Sequence, residues 1–155
     1  NKSLNVKNLE LPLKNRRKVK SVKDILEEKV SDSFYLNRDD IYFYKDELDI
    51  KDKFAPHQIG KINQGGQGER IYSIYSSGIT LSAYGGGAAA KTGAYLINDK
   101  IRKLTPRECL RMQGFPEKFK LPKSNNLAYK QLGNSVSVPV VKSIMSKVIQ
   151  SINAP

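Results

Sequence analysis

The 155-residue chain contains no tryptophan, a single cysteine (Cys109) and a single histidine (His57). A lone cysteine excludes an internal disulfide and a Cys-rich zinc site, and a lone histidine argues equally against a His-based metal cluster. Long apolar runs are missing, as is the pattern of a signal peptide, so a soluble, cytoplasmic protein without a membrane span is expected. Acidic residues are scarce: 15 Asp and Glu stand against 27 Lys and Arg, a formal net charge of +12. The excess sits at the ends. Residues 1–20 hold seven basic residues against one acid and residues 101–155 hold ten against two, while the segment between them is near neutral. This balance points to a polyanionic partner, nucleic acid first, with a merely solubilising basic surface as the plainer reading.

Glycine is concentrated in one place. The stretch "NQGGQGERIYSIYSSGITLSAYGGGAAAKTGAY", Asn63–Tyr95, carries eight of the chain's eleven glycines. Around them the apolar pattern is that of strands: "RIYSIY" and "GITLSAY" alternate, and "AYLIN" precedes an Asn-Asp turn. Upstream, the basic opening with Pro12 reads as a connector and "SVKDILEEK" as a short helix capped by Ser21. Between Phe34 and Phe54, "FYL" and "IYFY" read as edge strands, and the acids of 39–52 alternate with lysines without calcium-loop spacing. His57 reads as a loop residue. The last third is helical. Thr105, Pro106 and Glu108 spell a capping box with proline at the first helical position, and Gly114 closes that helix. Ser124 and Gly133 bracket a second helix, and a third places Val141, Ile144, Met145, Val148, Ile149 and Ile152 on one face. That stripe requires a covering surface.

Three motifs invite chemistry. Gly85–Thr92 has the length of a Walker A loop, but Ala90 stands where the second glycine belongs and strand, not helix, follows. Cys109 lies early in a capped helix, yet Leu110 and Met112 around it mark packing positions, which favours a buried structural thiol over a nucleophile. In "GGQGER", glycines flank an amide at a loop tip and let backbone approach a partner. Gln, Glu and Arg are side chains that read base edges, so Gln67, Glu69 and Arg70 form a candidate base-reading tip. A hairpin loop with an Arg–Glu ion pair fits the same residues.

"GGQGERIYS", "GITLSAYGGG", "AKTG" and "YLIN" resemble, in order and spacing, the target-recognition region of bacterial DNA (cytosine-5)-methyltransferases, nearest the GCGC-recognising type. "RKLTPRECLRMQGFP" and "AYKQLGNSVSVPVV" are similar to the ninth and tenth conserved blocks of that family, and "LELPLKNRRKVKSVKDIL" to the passage after its eighth block. The cofactor loop, the Pro-Cys nucleophile, the Glu-Asn-Val motif and the eighth block do not occur. The resemblance therefore implies the C-terminal half of such an enzyme, either a piece of one polypeptide or the smaller subunit of a split one.

The expected fold is α+β. A basic connector (1–20) leads into a small twisted-strand recognition domain (21–104), and the C-terminal helices (105–155) complete a Rossmann-like methyltransferase domain. The resemblance implies double-stranded DNA and the N-terminal catalytic half as partners, with S-adenosylmethionine as cofactor. By it Gln67 fills the space left by a flipped cytosine and Arg70 and Glu69 read neighbouring bases. Thr80, Tyr84, Gly87 and Lys91 hold the backbone, and Asn134 and Ser135 line part of the cofactor pocket. Arg107 and Glu108 are expected in structural pairs. No catalytic residue is assigned within the chain, and no methyl transfer is expected from it alone. A stand-alone basic DNA-binding module is the alternative, to which the "GNSV" segment and the apolar final helix give no support.

Overall fold

The computed structural model describes residues 20–44 and 54–153. The basic connector, apart from Lys20, and most of the stretch 39–52 lie outside these residues. Among the described residues, five strands form one sheet in chain order: β1 (Ile41–Phe43), β2 (Gln58–Ile62), β3 (Arg70–Tyr72), β4 (Ala94–Ile97) and β5 (Lys100–Lys103). All neighbours are antiparallel except β3 and β4, which run parallel. Three helices follow, α1 (Pro106–Met112), α2 (Asn125–Gly133) and α3 (Val138–Asn153). The architecture is α+β, as the pattern of elements predicts.

Alternation along the strands divides the core. Ile71 pairs with Ala94, and both join Ile59, Ile62, Ala89 and Ile101 in one cluster. Tyr72 pairs with Tyr95, and both join the other cluster with Ile97, Leu104 and, from the helical layer, Cys109, Leu110, Tyr129 and Leu132. The β4–β5 connection is the expected Asn-Asp turn, with φ of 50° and 61° at Asn98 and Asp99, a pair of left-handed residues suited to a two-residue hairpin.

The predicted capping box of α1 is present: Glu108 N donates to Thr105 Oγ1 (3.1 Å) and Thr105 N to Glu108 Oε2 (2.8 Å). The same carboxylate, fully buried, also accepts from both terminal guanidinium nitrogens of the buried Arg102 (2.6 and 2.8 Å) and from Glu27 N at 2.9 Å. Four donors compensate its lost hydration. Glu108 thus pairs with Arg102, whereas Arg107 donates to the carbonyls of Glu117 (2.8 Å) and Phe119 (3.2 Å).

Several sequence expectations are corrected. "SVKDILEEK" gives only a 3-10 turn, Val22–Ile25, because Glu27 is drawn to α1 by Thr105 Oγ1 (2.5 Å) and by its own amide's bond to Glu108. "FYL" is not a strand: Asp32–Phe34 is a 3-10 turn, and Tyr35 makes only an isolated bridge to Arg102. "RIYSIY" is strand only to Tyr72, after which the Ser76 hydroxyl folds back on the Ser73 carbonyl (3.3 Å). "GITLSAY" keeps its alternation of burial, with Leu81 and Ala83 inside and Thr80 and Tyr84 outside, but joins no ladder. The end of α2 packs there instead, so closely that any Cβ on Gly133 would strike the backbone of Ser82 and Ala83. Strand β2 escapes the sequence pattern because its apolar residues, Ile59 and Ile62, stand three apart and do not alternate, with a register shift between Gln58 and Gly60; a Cβ on Gly60 would meet the Tyr42 carbonyl at 2.5 Å.

Candidate nucleic-acid interface

Parallel pairing of β3 and β4 brings the loops that enter these strands to the same end of the sheet. The first loop is residues 63–69. Asn63 (φ 50°) and Gly65 (φ 79°) turn the chain, and a 3-10 turn, Gln67–Glu69, leads into β3. Glu69 braces it, accepting from Gly66 N (3.1 Å) and Asn63 Nδ2 (3.3 Å). Gln67 is left exposed at the tip.

The second loop, residues 82–90, interlocks with the first. Ala89 N donates to the Gly68 carbonyl at 2.9 Å. A Cβ on Gly68 would strike the Gly86 carbonyl and come within 2.9 Å of Ala90 Cα, and Gly87, at φ 98°, sits against Gly68 in turn. Glycine is required here for backbone-to-backbone contact. Between the loops lies a cleft of about 270 Å³, lined by Gly66, Gln67, Glu69, Ser82, Tyr84 and Gly85 among others. The Ser82 hydroxyl donates to the Tyr84 carbonyl, and the Tyr84 side chain stands 67% exposed.

Arg70, exposed at the start of β3, faces Lys61 across the β2–β3 ladder. Like charges directly opposite are destabilising, and an anion at this edge relieves them. The Arg–Glu ion pair that the sequence also allowed is not what braces the loop, since Glu69 is engaged by Asn63 and Gly66. Thr80 is exposed on the segment leading to the glycine run. Lys91 is half-buried, donates to Asn126 Oδ1 (3.3 Å) and lies 6.0 Å from the Tyr129 ring centroid. The two loops thus gather Gln67, Glu69, Tyr84 and Gly87 at one cleft, and Arg70 and Lys91 flank it.

Asn134 and Ser135 fall at the end of α2. Asn134 is the exposed C-cap, and the Ser135 hydroxyl donates to the Leu132 carbonyl at 2.7 Å, leaving its oxygen able to accept. An exposed amide and an accepting hydroxyl fit the polar portion of a cofactor such as S-adenosylmethionine. Cys109 is fully buried, and burial, with the neighbouring Glu108 carboxylate second, pushes its thiol well above the ordinary range. It cannot supply a thiolate. The exposed face of α3 carries Val140, Val141, Ile144, Met145, Ile149 and Ile152, so the predicted stripe is present and, among the described residues, uncovered. Sequence reading missed Asn126 and Lys130, which α2 brings beside Tyr84 and Lys91. The basic excess of the C-terminal third was the available signal.

The chain belongs to the C-5 cytosine-specific DNA methylase family, whose model matches residues 1–150. The cofactor of that family is S-adenosylmethionine. Type II methyltransferase M.HhaI of Haemophilus parahaemolyticus is 53% identical over 96 residues, 62% of this chain and 29% of that protein. Type II methyltransferase M.HpaII of Haemophilus parainfluenzae is 48% identical over 52 residues, 34% of this chain and 14% of that protein. The crystal structure of S. pombe Dnmt2 methyltransferase superposes with a TM-score of 0.60 at 22% identity, covering 92% of this chain and 44% of that one. This last likeness establishes a shared fold. The chain spans less than half the length of each of these relatives.

Proposed function

We propose that the chain is the DNA-recognition half of a type II DNA (cytosine-5)-methyltransferase from a restriction–modification system. Residues 21–104 hold double-stranded DNA, and residues 105–155 return to an N-terminal catalytic half whose Rossmann-like domain they complete. The observation that carries this reading is the glycine interlock, which fixes two loops against each other and leaves Gln67 exposed at their junction.

A target cytosine cannot be methylated inside the stack, and extruding it costs a few kcal/mol. Gln67 fills the vacated space and its amide pairs with the orphaned guanine. Arg70 donates to a guanine edge, as a guanidinium does bidentately. Glu69 spends lone pairs on Gly66 and Asn63 but keeps acceptor capacity for a cytosine amino group. Thr80, Tyr84, Gly87 and Lys91 hold the backbone around the flipped nucleotide and fix register. The site resembles the GCGC-recognising type, so a G+C-containing sequence with an inner CG step is expected.

Asn134 and Ser135 contribute an amide and a hydroxyl to the cofactor pocket. S-adenosylmethionine bound there supplies the methyl group. With its single cysteine buried, the chain holds no thiolate for attack on the base, so the nucleophile comes from the N-terminal half. The uncovered face of α3 supports that partnership over a self-sufficient DNA-binding module.

The test is methyl transfer to duplex DNA by the chain mixed with the N-terminal half of a related enzyme, each half also assayed alone. Activity confined to the mixture and mapped to cytosine C5 is expected. In the same mixture, Gln67→Ala should reduce the fluorescence of a 2-aminopurine placed at the target while sparing overall duplex affinity. A uniform loss of affinity with unchanged flipping would sink the infilling role.

A further inference from the structure

A second cleft, about 470 Å³, opens between Tyr84–Gly85 and the exposed face of α2, walled by Lys91, Asn126, Leu127 and Lys130. We propose that it seats the DNA sugar–phosphate backbone beyond the recognition loops, with Lys130 and Asn126 as the phosphate contacts. This rests on the DNA-recognition reading and extends its footprint onto α2.

Three observations carry it. The first is charge: among the described residues no acid lines this cleft, and residues 118–155 hold six lysines and no acid. The nearest carboxylate in sequence, Glu117, is taken by Arg111 in an ion pair of 2.6 Å. The second is how the donors are arranged. Lys91 occupies Asn126 Oδ1 (3.3 Å), so the Asn126 amide presents its NH₂ group, which only donates. Lys130 is exposed and its ammonium lies 5.3 Å from the Tyr84 ring centroid, which holds it beside the cleft while its N–H groups face outward as donors for an anion. The third is continuity. Tyr84 and Gly85 line both clefts, so a strand leaving the Gln67 tip runs directly onto α2. Phosphate is the anion that recurs along a duplex, and its contacts position without reading sequence.

The readout is the salt dependence of duplex binding by the chain with its complementing half, on a mixed-sequence duplex. Each phosphate contact contributes about 0.9 to the slope of log K against log salt. Lys130→Gln should lower that slope by about one and raise Kd several-fold near 0.15 M salt, and Lys130→Arg should restore both. Lys100→Gln, at the distant β4–β5 turn, controls for lost net charge and should leave the slope unchanged. Equal slopes for Lys130→Gln and Lys100→Gln overturn the proposal while leaving the recognition reading intact. If the mixture binds no duplex at all, the recognition reading fails first.

Discussion

Substituting Gly68 by alanine tests the loop interlock directly. Gly68 does not adopt a left-handed φ, so alanine introduces no torsional strain and the perturbation is purely the added methyl. That methyl lands on the Gly86 carbonyl and within 2.9 Å of Ala90 Cα, and both are backbone atoms that no rotamer change can move aside. Overpacking of this kind costs about 1–3 kcal/mol. Opening the loops breaks the Ala89–Gly68 hydrogen bond of 2.9 Å in parent and variant alike, so only the clash shifts the balance. About 1–3 kcal/mol lowers the ratio of closed to open loop pairs by roughly 5- to 140-fold, at 1.4 kcal/mol per decade. Gly86 is the matched control, because an added Cβ there meets nothing within 4 Å. The assay is duplex binding and 2-aminopurine fluorescence by the complemented chain, beside thermal melting. Gly68→Ala should lose most of the flipping signal, and Gly86→Ala should melt within about 0.5 kcal/mol of the parent. If both variants melt and flip alike, the interlock does not position Gln67.

Removing the guanidinium with Arg102→Met leaves Glu108 buried without its countercharge and should cost about 3–5 kcal/mol in chemical denaturation; a loss below about 1 kcal/mol would contradict the pairing. Cys109 should resist iodoacetamide at pH 8 in the folded chain and react readily in denaturant, while Cys109→Ala should retain methyl transfer in the complemented mixture. Burial raises the phenols of Tyr95 and Tyr129 above their ordinary range, so the unfolded state ionises first as pH rises. Stability should therefore be full below about pH 10 and decline above it. Tyr129→Phe should flatten that decline in melts between pH 8 and 11, and an unchanged slope would refute its origin.

Local signals were the most legible in the sequence. The capping box at Thr105–Glu108 and the Asn98–Asp99 turn are written in adjacent residues whose chemistry admits few alternatives, and both appear as read. The apolar stripe of α3 was equally plain from its period. What failed depended on distant partners. Leu26–Lys29 does not continue a helix because Glu27 is held by residues some eighty positions away, a competition invisible in its own neighbourhood. Thr80–Tyr84 alternates like a strand but is flanked by α2, and only the fold reveals that Gly133 is there to let a helix touch that backbone. Glycine density marked the candidate interface, yet glycines alone do not say which face which. The contact of Gly68 with Gly86 and Gly87 is a tertiary fact, as is the arrival of Lys130 beside Tyr84.

On the proposed recognition role, the parallel β3–β4 pair has a consequence for how specificity changes over time. Both loops of the interface fall within residues 63–93, one uninterrupted piece of chain bounded by the fully buried Ile62 and Ala94. A single crossover event can exchange that piece between relatives, provided the incoming block brings its own equivalents of Ile71, Tyr72 and Ile74 to rebuild the sheet and core. The glycines that lock the loops travel in the same block, so a recombinant inherits a matched pair in one step. New target preferences can then arise without first passing through an ancestor whose two loops no longer fit each other.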